Sequence, residues 1–153
     1  MTAAHFTPRN PDFETRVRDS FARQAFMTML GADLTTVAPG HVTITLAHRP
    51  DLCQQHGFFH GGVVGTLADN AGGYASFTLF DAGDSVLTVE YKLNLMAPAA
   101  GDALVVHGHV VRSGRTITVC RSEVAVMVDG AEKPCATMLG TFMTLHGRSD
   151  HGA

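Results

Sequence analysis

Asp69 is the residue around which chemistry can be built in this 153-residue chain, because of what stands four and eight positions from it. Gly61, Gly65, Asp69 and Gly73 are four apart, so on a helix they form one slowly drifting stripe. A carboxylate between glycines can be reached by something bulky; one between leucines could not. His60-Gly61-Gly62 reads as the start of that helix, where unpaired N–H groups and the positive end of the macrodipole can hold a developing negative charge. A base or nucleophile and an oxyanion donor would then share one element. The plainer alternative is a packed core helix with a solvated Asp. Burial of Asp69 would raise its pKa and the helix end would lower it, and spacing does not say which wins.

The element that must position these groups is the stretch from Gln54 to Leu79. Val64, Leu67, Ala68, Ala71, Ala75 and Leu79 recur at helical spacing, yet Gly61, Gly62, Gly65, Gly72 and Gly73 interrupt them. Each interior glycine costs a helix about 1 kcal/mol relative to alanine, so enclosure by a sheet has to compensate. Upstream, Phe13, Val17, Phe21, Phe26, Met29 and Leu30 predict one amphipathic helix from Asp12 to Leu30, starting at Pro11-Asp12 and stopped by Gly31. Ala32 to Ala47 reads as a hairpin about Pro39-Gly40 with Val42, Ile44 and Leu46 on its buried face. Downstream, Asp81 to Asp84 makes a turn, and Leu87, Val89, Tyr91, Leu93 and Leu95 alternate cleanly along a full strand. Strands from Ala103 to Arg112 and Thr116 to Val128 are linked at Ser113-Gly114, and Asp129-Gly130 begins a connection to a last strand, Cys135 to Leu145. The order predicts an α+β domain with an antiparallel sheet over residues 12–146, between a flexible arm (1–11) and a flexible tail (147–153).

Composition excludes several classes. Eleven basic against fourteen acidic residues, a net charge of −3, and no long block of like charge argue against nucleic acid or an anionic membrane. No apolar run approaches a membrane span, and the N-terminal residues lack the apolar core of a signal peptide, so a cytoplasmic location is expected. Cys53, Cys120 and Cys135 suit reduced thiols. His56 with His60 and His107 with His109 are the histidine pairs that could suggest a metal, but no HExxH or CxxC accompanies them, so none is expected.

His60-Gly61-Gly62, then Leu67-Ala68-Asp69-Asn70-Ala71, then the strand VLTVEYKLNLMAPA and finally Gly114-Arg115-Thr116 together resemble the hotdog-fold acyl-CoA thioesterases of the phenylacetate-pathway and 4-hydroxybenzoyl-CoA type, over about residues 30–145. The resemblance implies a curved sheet wrapped round a long central helix, homodimers paired into homotetramers, and hydrolysis of aryl or small-to-medium acyl-CoA thioesters without a cofactor. It assigns the catalytic carboxylate, as nucleophile or general base, to Asp69. The backbone donor falls to Gly61, with His60 fixing the turn before it. Gln54 stands where relatives place water or the thioester, and Thr88 where some carry a water-holding Ser. Gly62 and Asn70 belong to the same motifs and are candidate substrate contacts. Phe58, Phe59, Tyr74, Phe77 and Met96 are candidates for the acyl pocket and Arg115 for the CoA phosphates. Eight helical residues span roughly 12 Å, so Asp69 is expected to face the helix start of a partner subunit, making the dimer necessary. The alternatives are a non-catalytic acyl-CoA-binding module and a hydratase or dehydratase on the same fold.

Overall fold

The computed structural model describes residues 6–150. Its elements are α1 (Phe13–Arg23), α2 (Ala25–Leu30), β1 (Ala32–Ala38), β2 (His41–Ala47), a short 3-10 turn (Pro50–Leu52), α3 (Gly61–Phe77), β3 (Ser85–Leu95), β4 (Ala103–Ser113), β5 (Ile117–Val128) and β6 (Ala131–Leu145). The six strands form one antiparallel sheet in the order β1-β2-β4-β5-β6-β3, packed around α3. This is the sheet-around-helix architecture that the resemblance implied.

Two close approaches set α3 in the sheet. A side chain on Gly108 of β4 would collide with the carbonyl of Ala71, so only glycine lets strand and helix meet there. A side chain on Gly72 would stand 2.7 Å from the Phe142 ring of β6. Ser122 of β5 donates to the Ala68 carbonyl at 2.7 Å, and Val64, Leu67, Ala68, Ala71 and Ala75 are buried. The glycine cost is therefore offset by packing density against β4 and β6.

Three expectations change. The single helix over 12–30 is two helices, because Gln24 is extended (φ −74°, ψ 99°). Gln24 turns its side chain to the Tyr74 hydroxyl, and Phe26 and Met29 end up exposed while Met27 and Leu30 are buried. Gly31 stops α2 in the left-handed region (φ 76°), as expected. The last strand begins at Ala131, not Cys135. Asp129 (φ 53°) and Gly130 (φ 75°) form a tight hairpin turn whose twist suits antiparallel strands, and Pro134 is accommodated where the β5–β6 register shifts. The alternation in β3 is broken by a register shift between Thr88 and Glu90. Val86 and Thr88 face α3 before it; Tyr91, Leu93 and Leu95 lie toward α3 after it. Leu87 and Val89, expected on the same face as these, are about half exposed.

The predicted arm and tail fall partly outside the described residues, at 1–5 and 151–153. Within residues 6–11, the Phe6 ring fills the space above Gly40, and Arg9 pairs with Asp81. Gly147 donates to Asp84 Oδ1, and Asp150 pairs with Arg23 at 2.7 Å. Among the described residues no helix is long and apolar enough to cross a membrane.

Replacing Gly108 with Ala forces the Ala71 carbonyl away and is expected to cost about 3 kcal/mol of folding stability. Chemical denaturation of the Gly108→Ala variant beside wild type measures it.

Candidate active site

α3 begins at His60, whose extended backbone (φ −62°, ψ 137°) turns the chain into the helix. Its Nδ1 accepts the Gly62 N–H at 2.9 Å, and its carbonyl accepts the N–H groups of Val63 and Val64. The N–H of Gly61 has no acceptor among the described residues. The helix start thus offers one free donor, with His60 as the cap that consumes the neighbouring one.

Two turns along, Asp69 is half-buried, and Thr88 Oγ1 donates to its Oδ1 at 2.9 Å. Burial raises the Asp69 pKa above its ordinary value, against the opposing hydrogen bond from Thr88. Asp69, Asn70, Gly73, Tyr74, Thr88 and the end of α1 line a cleft of about 540 Å³. Asn70 Nδ2 donates to the Thr66 carbonyl, while its buried Oδ1 has no partner, leaving an acceptor for a donor brought by a ligand.

Asp69, Thr88 and Asn70 therefore come together with Tyr74, and the other predicted residues stand elsewhere. His60, Gly61 and Gly62 are at the helix start. Gln54 accepts the His56 N–H through its side chain within its own loop. Phe59 is 3% exposed and packs edge-on against His48, so it belongs to the core. Arg115 is exposed at the β4–β5 turn. The candidate Tyr74 does reach the cleft, its hydroxyl accepting from Gln24 Nε2 at 2.8 Å and lying 3.1 Å from Ser20 Oγ. Ser20, Arg23 and Gln24 were missed as lining residues. Their signal was the polar Arg23-Gln24 pair interrupting the apolar period where the helix breaks.

His41 stacks on His109 with ring centroids 4.4 Å apart, and His107 bonds Glu132 at 3.0 Å, an arrangement of rings and ion pair rather than of converging nitrogens. No group of three or more His, Cys, Asp or Glu among the described residues is placed to hold a metal ion.

β3 runs antiparallel to α3 along one flank. The Leu95 side chain lies over Gly61, Leu93 and Tyr91 over Gly65, and Thr88 on Asp69. The space at Gly65, expected to lie open beside Asp69, is thus taken by β3 side chains. β3 is bonded to β6 alone, and Leu87, Val89, Tyr91 and Leu95 are 45% to 59% exposed along this edge.

The thioesterase superfamily profile matches residues 56–126. A solved thioesterase family protein from Silicibacter pomeroyi is 44% identical, with a TM-score of 0.86 over 87% of this chain and 98% of that one. The PaaI protein of the E. coli phenylacetic acid degradation operon, 21% identical, shares the fold with a TM-score of 0.80 over 90% of this chain and 96% of its own. Human acyl-coenzyme A thioesterase 13 is 29% identical over 85 residues, 55% of this chain and 60% of that relative's length.

A carboxyl whose folded pKa is raised weakens the fold as it ionises, so this cost is present above the folded pKa and vanishes below the unfolded one. Asp69→Asn is accordingly expected to be more stable than wild type at neutral pH. The difference should shrink as pH falls through the carboxylate range, as read from denaturation midpoints across pH.

Proposed function

This chain belongs to the thioesterase superfamily, and from that membership we propose that it hydrolyses acyl-CoA thioesters at Asp69, with the carbonyl oxygen held by the free N–H of Gly61. The observation that carries the reading is the pairing of a half-buried, ligand-accessible carboxylate with a helix start that has one unconsumed donor. A thioester carbonyl is electrophilic and its thiolate leaves readily, so these two groups suffice. The Asp69 carboxylate either adds to the carbonyl carbon or takes a proton from a water that does. Negative charge moves onto the carbonyl oxygen, where an N–H at a helix N-terminus stabilises it. Collapse expels CoA thiolate and leaves the free acid, directly or after water cleaves the acyl-Asp anhydride. Thr88 orients the carboxylate through the bond to Oδ1.

One chain does not bring both groups to one carbonyl, because Gly61 and Asp69 are roughly 12 Å apart along α3. Pairing of two β3 edges resolves this. If the two-fold axis passes through the middle of β3, the partner subunit's Leu95 comes beside Ser85 to Leu87. The partner subunit's Gly61, which lies under that Leu95, then approaches Asp69 beside Thr88. The half-exposed Leu87, Val89, Tyr91 and Leu95 supply apolar area for such an edge-to-edge contact, which also protects an otherwise open strand. Further pairing of dimers into tetramers would leave this arrangement unchanged.

Asp69→Asn is expected to lower kcat/KM by roughly a thousandfold with the dimer intact, measured by thiol release from a panel of acyl-CoA esters. A panel that binds without release, in wild type, would make the protein a binding module instead. In wild type, kcat/KM should fall as pH drops, with an apparent pKa above the ordinary aspartate value. Shared ownership has its own check. A randomly re-paired equal mixture of Asp69→Asn and Gly61→Pro chains should recover about a quarter of wild-type activity, since about half of its dimers are mixed and one of the two sites in each of those is whole. No recovery on mixing would place each site within a single chain.

A further inference from the structure

The cleft at Asp69 is polar at the end away from the carboxylate. Arg23 from the end of α1, Gln24 from the break before α2, and the hydroxyls of Ser20 and Tyr74 line it, against few apolar side chains, notably Val86 and Leu87. An alkyl tail there would desolvate these groups without replacing their hydrogen bonds. A carboxylate already occupies the place. Asp150 of the C-terminal segment lines the same cleft and accepts from Arg23 Nη2 at 2.7 Å. The segment that carries it is tied down at Gly147 and His146, both bonded to Asp84. The nearby Arg16 is engaged otherwise, donating to the carbonyls of Asp81 and Asp84 and covering the Phe77 ring, so Arg23 is the guanidinium turned to the cleft.

Building on the thioesterase reading, we propose that Arg23 determines specificity by receiving a distal carboxylate on the acyl group, so that the preferred substrates are CoA monothioesters of short dicarboxylic acids. In the free enzyme Asp150 holds the guanidinium in place, and the substrate carboxylate displaces it. A guanidinium fork grips a carboxylate through two parallel N–H bonds, a geometry that neutral acyl ends do not match. The path from Asp69 to Tyr74 covers five helical residues, roughly 7 Å, which calls for a spacer of a few methylenes.

The test compares kcat/KM for adipyl-CoA, hexanoyl-CoA and 6-hydroxyhexanoyl-CoA, three acyl chains of equal length with different ends. Wild type is expected to favour adipyl-CoA over hexanoyl-CoA by about tenfold or more. In Arg23→Gln that ratio should collapse toward one, Arg23→Lys should restore part of it, and Asp150→Asn should increase it by removing the competing carboxylate. A preference for hexanoyl-CoA or 6-hydroxyhexanoyl-CoA, or a ratio unchanged by Arg23→Gln, overturns the proposal while leaving thioester hydrolysis standing. Release of thiol from none of the three, nor from any other acyl-CoA, overturns both.

Discussion

The contact on which the rest of the structure depends is the one between the Gly108 backbone and the Ala71 carbonyl. It brings β4 against α3 more closely than any side chain allows, and with Gly72 under Phe142 it fixes how the helix is rotated in the sheet. That rotation decides which residues of α3 meet the sheet and which do not. Leu67, Ala68 and Ala71 turn inward and are fully buried, and Asp69 is left on the flank beside β3, half-buried and open to a cleft. A helix rotated by one residue would bury the carboxylate completely or release it to solvent.

Half-burial is what sets Asp69 apart from an ordinary surface aspartate. Desolvation raises its pKa, and the single bond from Thr88 moderates the rise without enclosing both oxygens. Cys120 shows the other extreme on the same core. Burial pushes its thiol up to about 12, with Ser76 as its neighbour at 3.1 Å, so it stays protonated and inert. The intermediate setting gives the carboxylate more basicity than an exposed aspartate would have.

β3 links the site to the surface. The register shift near Val89 exchanges which side chains look toward α3, so one strand supplies Thr88 to the carboxylate and Tyr91, Leu93 and Leu95 to the glycines nearer the helix start. The same irregularity leaves apolar side chains along an edge with no neighbouring strand. A single feature of the backbone therefore underlies both the proposed chemistry and the proposed pairing of subunits.

The order of elements, the α+β class, the hairpin at Pro39-Gly40, the stop at Gly31 and the helical stripe that carries Gly61 and Asp69 were all legible in the sequence, because each is signalled by residues close along the chain. The break at Gln24, the strand through Pro134 and the face exchange in β3 were not. They arise where a distant partner outweighs a local pattern: Tyr74 drawing Gln24 out of the helix, β5 absorbing Pro134, and β6 imposing a shifted register on β3. The sequence by itself determined which groups are available, since spacing alone puts Asp69 and the glycines on one helical stripe. Only the tertiary structure decided how Asp69 is solvated, that His60 consumes the Gly62 donor and leaves Gly61 free, and that Arg23 and Gln24 join the cleft. Solvation and contact depend on what long-range packing brings alongside, and no periodicity along the chain encodes that.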